Sequence, residues 1–230
     1  ITIFVYGLIS PVDYSKNKSK TVALIQQNSD PWVGGTAAYK RDLKVLTELS
    51  NQAMKSESNI DFIVWPETAF IPRIEYNYIK RPNRQRFELV EDLLNYIDKQ
   101  NVPFVIGNDH ATPKFGGGSY DYVDYNAVML FNPGENVIPP KPQMYLKMHL
   151  VPFTEYFPFD KMFPKLYQKL LNGDTHMWEP GKDANLLNIG DFYFGTPVCF
   201  EDTFPNISRK FVNNGAKAIV NLSNDTWSNS

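Results

Sequence analysis

At 230 residues, 43% hydrophobic and 21% charged, the chain is long enough to bury a full core and is neither disordered nor built on disulfides, since it holds one cysteine. A formal net charge of −2 supplies no long-range attraction to nucleic acid, which is excluded as the expected partner. One free thiol fits the cytosol or an extracytoplasmic domain equally well.

The chain opens on an apolar run, Ile1 to Ile9, without an initiator Met, a basic region or a small-residue cleavage site. That pattern reads as the end of a membrane helix and not as a signal peptide. Ser10 to Lys20 is polar and reads as a linker, so residues 1–20 are set apart from one globular domain over 21–230. Lys20 to Gln27 predicts a first strand, and Pro31 to Gly35 a turn. Thr36 is expected to cap a helix whose apolar residues Leu43, Leu46, Leu49, Ala53 and Met54 recur at helical spacing.

Ile60 to Trp65 is a short apolar run halted by Pro66, which predicts a buried strand with Glu67 at its carboxyl end. Arg84 to Gln100 carries Phe87, Val90, Leu94 and Ile97 on one face and predicts a helix; Pro103 to Gly107 follows as another buried strand. The order is β-α-β-α-β. Phe115 to Ser119 is glycine-rich but lacks the spacing of a phosphate cradle, so no nucleotide role is expected. Tyr125 to Asn132 predicts a strand, and Asn136 to Lys147 an extended piece broken by prolines.

From Phe153 to Trp178 aromatic and aliphatic residues are interleaved with Lys161, Lys165 and Lys169. This composition suits a lid at a membrane interface, or equally a core-packing insertion with snorkelling lysines. Ala184 to Ile189 and Phe192 to Cys199 predict two strands around Gly190 and Asp191, and Ala216 to Ser223 a further one. Asn-x-Ser/Thr triplets at Asn17, Asn206, Asn221 and Asn224 carry no weight as glycosylation signals, and Asn221 is expected on a buried strand.

Cys199 stands where an apolar strand hands over to a helix start, with Asp202 and Thr203 as capping residues and Pro205 in the first turn. Helix N-terminal amides there can lower a thiol pKa and donate to an oxyanion. A lone cysteine is otherwise a small core residue, so partners elsewhere must decide. A thiol nucleophile needs a base and a positive or amide donor. His110, His149 and His176 are not flanked as in Cys-His enzymes, whereas Glu67 and Lys147 both fall at strand-to-loop transitions.

Three blocks, Trp65 to Ala69, Lys147 to Glu155 and Cys199 to Glu201, resemble the nitrilase superfamily of carbon-nitrogen hydrolases, and more closely the catalytic domain of bacterial apolipoprotein N-acyltransferases. The resemblance runs from about Thr21 to Trp227 and includes Gln27-Asn28, Tyr125-Asn126 and Asn221 to Trp227. It implies an α/β fold, a nitrilase-like α-β-β-α sandwich, with a lid-like insertion at about 153–178. It implies Glu67 as general base, Lys147 as oxyanion stabiliser that also biases the thiol toward thiolate, and Cys199 as nucleophile. Glu155, eight positions after Lys147, matches a second essential carboxylate; Phe200 and Glu201 match the residues after the cysteine, and Trp32 a tryptophan on the first loop.

The implied reaction is acyl transfer from a phospholipid donor, through a Cys thioester, to the amine of a diacylglyceryl apolipoprotein acceptor. It places the domain on the periplasmic side of the bacterial inner membrane, without cofactor or metal. Thr154 stands where the family has glycine. The Asn-Asp-x-Trp block, which in the family continues into Phe-Gly, here ends on Ser228 to Ser230, so the expected sandwich is C-terminally incomplete and the chain a fragment. A soluble amidase using the same residues on a small carbon-nitrogen bond, and a non-catalytic interaction domain of the same fold, are the competing readings.

Overall fold

The computed structural model describes residues 2–10, 17–30, 33–114, 122–158, 162, 165 and 177–226. Two sheets face each other. The larger runs in the order β1 (Val22–Leu24), β2 (Phe62–Trp65), β3 (Phe104–Pro113), β4 (Tyr122–Phe131) and β5 (Gln143–Leu146). Its first three strands are parallel, and β4 runs antiparallel to both β3 and β5. The smaller has β6 (Leu187–Ile189), β7 (Phe192–Gly195) and β8 (Ala218–Ile219).

Strand alternation builds two cores at once. Along β2, Ile63 and Trp65 join a cluster with helices α2 (Thr36–Ser56) and α4 (Arg84–Asp98), represented by Leu46, Leu93 and Leu94. Phe62 and Val64 point the other way, into a second cluster with Phe194, Val198 and Leu222 of the opposing sheet. Because successive side chains leave a strand on opposite faces, a strand buried on both sides reads as a continuous apolar run, which is what 62–65 shows. Each such fully buried large side chain contributes about 1.5–3 kcal/mol. Phe62 stacks on Phe194 with ring centroids 5.2 Å apart, tying the sheets together.

The last helix, α5 (Pro205–Asn213), closes the fourth layer against β7. There a Cβ on Gly195 would lie 2.7 Å from Cβ of Phe211, so glycine gives the helix its close approach. The expected α-β-β-α sandwich is the observed architecture.

Several elements differ from expectation. The first strand spans only Val22–Leu24 of the predicted 20–27, because it is an edge strand paired with β2 alone. Thr36 is the first helical residue and not the cap; Gly35, at φ 106°, precedes it, and the Thr36 hydroxyl donates to Gln85 instead. A short helix α3 (Ile74–Lys80), unforeseen in the sequence, is held by Asn108, whose Oδ1 accepts from the Ile74 amide at 3.0 Å. A 3-10 turn, Cys199–Thr203, precedes α5, and Phe204, not Asp202 or Thr203, holds the α5 cap position. Asn221 is exposed, not buried, and donates to Asp202.

Residues Thr2–Ile9 form a short helix α1 on which Phe4, Tyr6, Leu8 and Ile9 are exposed. Among the described residues no helix is long and apolar enough to cross a membrane. Of the predicted insertion, Phe153, Tyr156 and Met162 are exposed and Phe157 is buried, while 159–161, 163–164 and 166–176 lie outside the described residues. The glycine-rich loop also lies outside them.

Candidate active site

Strands β2, β3 and β5 are mutually parallel and end on the same edge of the large sheet, the edge where open α/β sheets place their ligands. Pro66 ends β2 there and delivers Glu67. The turn lies directly on Gly107, where an added Cβ would strike the Pro66 carbonyl oxygen and come within 2.7 Å of the Glu67 Cα. Only the absence of a side chain at 107 lets the glutamate backbone sit this low.

Lys147 follows β5, its amide donating to the Asn126 carbonyl at 2.9 Å. Its side chain is 0% exposed. Nζ lies 2.6 Å from Glu155 Oε1 and 3.3 Å from Glu67 Oε1. Glu67 Oε1 also accepts from Asn126 Nδ2 at 2.8 Å. Glu155 is fixed by its own turn, since its Oε2 accepts from the Val151 amide at 2.8 Å while its amide donates to the Val151 carbonyl at 2.9 Å. Thr154, in place of the family's glycine, does not keep Glu155 from the lysine; the positive φ of this turn, 65°, falls on Phe153.

The other half of the site comes from the small sheet. Val198 bridges to Leu222 beyond the β7–β8 ladder, and the Cys199 amide donates to the Leu222 carbonyl at 2.7 Å. Cys199 adopts φ 49°. Among the described residues five non-glycine residues have positive φ, and Thr68, Phe153 and Cys199 each lie within two positions of a predicted site residue or on one. Such strain costs of order 1–3 kcal/mol and persists where surrounding contacts enforce it.

Glu201 supplies that enforcement. It is wholly buried, and its carboxylate accepts from the Tyr145 hydroxyl at 2.8 and 2.9 Å and from the amides of Met148, His149 and Val198 at 2.8, 2.9 and 2.8 Å. One side chain thus ties the chain after Lys147 to the chain before Cys199. Phe200 rests edge-on against Phe204, which also meets the His149 ring at 4.8 Å. His149 is thus a packing neighbour of Phe204. Trp32 lies outside the described residues.

Burial raises the Glu67 carboxyl above its ordinary value, outweighing the charge of Lys147 and the Asn126 hydrogen bond, so it is a good proton acceptor. Lys147 is pulled down by burial, but Glu67 and Glu155 more than reverse this, and it stays an ammonium. The thiol corrects an expectation. Lys147 and the amides were to favour the thiolate, yet burial, reinforced by the Glu67 charge, pushes Cys199 up to about 11. The Ser223 hydrogen bond, the Lys147 charge and the Phe200 amide offset this only in part. Cys199 therefore rests as a thiol, with the Glu67 carboxylate among the charges it feels. Like charges this close cannot both be held, so carboxylate and thiolate compete for one proton.

An ammonium has three N–H donors, and the two glutamates take two of the Lys147 set, leaving one for an oxyanion. Glu67, Lys147 and Glu155 are thus brought together, and the Cys199 thiol feels the charges of the first two. Sequence reasoning gave no role to Asn126 or Tyr145. The available signal was strand alternation, which sets Tyr145 on the face of β5 that leads to Lys147 and Asn126 on the face of β4 that meets Glu67.

The carbon-nitrogen hydrolase family model matches residues 21–230. Apolipoprotein N-acyltransferase 1 of Treponema denticola is 48% identical over 236 residues, covering 98% of this chain and 43% of that protein. Apolipoprotein N-acyltransferase 1 of Treponema pallidum is 45% identical over 219 residues, covering 95% of this chain and 40% of that protein. The chain therefore spans less than half the length of these relatives. Among solved structures, Nit3 of Saccharomyces cerevisiae, a member of branch 10 of the nitrilase superfamily, superposes with a TM-score of 0.57 at 19% identity, covering 89% of this chain and 64% of that one.

Proposed function

The chain belongs to the carbon-nitrogen hydrolase family, and we propose that it is the catalytic part of an apolipoprotein N-acyltransferase. The observation that carries this reading is Lys147, an ammonium with no exposure, held between two glutamates beside the chain's only cysteine. In the first half-reaction Glu67 takes the Cys199 proton, sulfur attacks an ester carbonyl of a phospholipid, and the remaining Lys147 N–H meets the oxyanion. Glu67 then returns the proton to the departing glycerol oxygen, leaving a thioester. In the second half-reaction the N-terminal amine of a diacylglyceryl-cysteine attacks the thioester and Cys199 leaves as thiol.

The exposed Phe153, Tyr156 and Met162 at the root of the 153–178 insertion support lipid substrates, because aromatic and flexible apolar side chains suit the bilayer interface. The apolar face of α1 supports a membrane helix ending there, with the domain at the periplasmic surface of the inner membrane. The test takes the intact parent protein in detergent with phospholipid and a diacylglyceryl peptide. Wild type is expected to acquire an acyl mass on Cys199 and pass it to the peptide, and Cys199→Ala to do neither. Equal peptide acylation by the two overturns the reading, and release of ammonia from small amides without lipid supports the amidase alternative instead.

A further inference from the structure

The second half-reaction has a proton too many. An N-terminal amine enters as R–NH₃⁺ near neutral pH. On becoming an amide nitrogen it loses two protons, and the departing sulfur of Cys199 can take only one. The balance is thioester plus R–NH₃⁺ giving amide, thiol and one free proton. Glu67 relays one proton from nitrogen to sulfur after the attack, so the proton lost before it calls for a second acceptor.

Beyond its pairing with β2, which ends at Ile106, β3 continues with β4 as a two-stranded arm. Gly107, under Glu67, and Asp109 lie two positions apart and so share one face of β3. Asp109 is paired across the strands with Asn126, the residue that holds Glu67 Oε1. Directly opposed side chains have Cβ atoms about 4.5–5.5 Å apart, so Asp109 stands beside the catalytic glutamate's own support. Its Oδ1 accepts from Trp178 Nε1 at 3.2 Å. It also lines a cavity of about 250 Å³ with Tyr39, Arg73, Tyr76 and Arg86. At about 30 Å³ each, several waters fit there, so a proton accepted by Asp109 has a route out.

We propose that Asp109 is the proton acceptor for the incoming ammonium, an inference that rests on the acyl-transfer reading above. The Asp109 carboxylate takes the first N–H proton, freeing the nitrogen lone pair. The C–N bond forms and the C–S bond breaks while Glu67 moves the second proton to sulfur. Asp109 then discharges to water through the cavity. The groups facing it suit such a role. Burial raises its carboxyl to about 7 and the charges of Asp124 and Glu67 add to the rise, while Arg73 and the Trp178 hydrogen bond hold it down. Arg73 is itself paired with Asp124.

The experiment loads the full-length protein with acyl chain from phospholipid and compares two acceptors, the diacylglyceryl peptide and hydroxylamine, whose nitrogen is already neutral at pH 7. Asp109→Asn is expected to raise the hydroxylamine-to-peptide rate ratio about 100-fold at pH 7, the usual scale of a lost proton acceptor. The ratio is expected to fall back as pH rises and the peptide amine deprotonates, and Asp109→Glu to restore it at pH 7. An unchanged ratio, whether both rates fall together or neither falls, overturns the role of Asp109. Absence of any acyl mass on wild-type Cys199 overturns the acyl-transfer reading and the inference with it.

Discussion

Glu67, just past a strand end, and Glu201, in the 3-10 turn after Cys199, are both buried carboxylates, but they are served very differently. Glu201 is saturated, with three backbone amides and the Tyr145 hydroxyl converging on its two oxygens. Glu67 receives one neutral donor, Asn126, and a share of Lys147 at 3.3 Å. Water would have supplied each oxygen with more than that, so burial leaves Glu67 short of donors and raises its proton affinity. On the proposed mechanism, donor supply decides whether a buried carboxylate braces the chain or moves a proton.

Lys147 joins the two regions, because its side chain reaches Glu67 while its neighbours Tyr145, Met148 and His149 donate to Glu201. Replacing it with Met is expected to have the largest effect. Two carboxylates would be left facing each other, costing about 3–5 kcal/mol in a denaturant titration and abolishing detectable acyl-enzyme formation. Next, Glu67→Gln should slow thioester formation by about 10²–10⁴-fold. Its melting temperature should stay within a few degrees of wild type, since the amide can still accept from Asn126. The reverse pattern is expected for Glu201→Gln. Its amide nitrogen would face the Tyr145 or backbone donors, costing about 3 kcal/mol, or roughly 6–12 °C in melting temperature for a domain of this size. If Glu67→Gln melted early and Glu201→Gln did not, the contrast between brace and base would be broken.

The last effect is a pH dependence, gradual where the others are all-or-none. Asp109 rises from 3.8 to about 7, so the folded chain binds more protons than the unfolded one between those values. Stability from this group is therefore full below about pH 4 and is lost as pH rises through 7, by no more than about 4 kcal/mol. Melting curves of wild type and Asp109→Asn should converge below about pH 4 and separate progressively up to about pH 7, with the Asn variant the more stable and the gap constant above that.

Much of this contrast was legible in the sequence, and what was not has a physical reason. Glu67, Lys147 and Cys199 sit at breaks in apolar runs, and a strand end halted by proline or followed by a helix start is a local signal; Glu155 was visible only through the family resemblance. The β2 run and the α4 periodicity could be read for the same reason. The brace at Glu201 could not, because its partners are mostly backbone amides of Met148, His149 and Val198, which carry no side-chain signature. Helix α3 was hidden by its seven-residue length, too short for a helical period to emerge. The thiol shift was misjudged because burial and the Glu67 charge are tertiary facts. Asp109 was passed over because its meaning comes from a cross-strand partner.

The segment returning to the domain after the 153–178 insertion is stitched to the site at three points. The Trp178 amide donates to the Glu155 carbonyl at 2.9 Å, Glu179 to Asp124 at 2.8 Å and Gly181 to Lys147 at 2.7 Å. Glu155 and Trp178 thus close the intervening chain like the two feet of an arch. Changing the length of an arch whose feet are fixed costs little, about 0.6 kcal/mol for each doubling. A change of length between those feet is in this sense cheap for the fold, provided that the buried Phe157 and the Phe153–Tyr156 backbone hydrogen bond beside the first foot are kept.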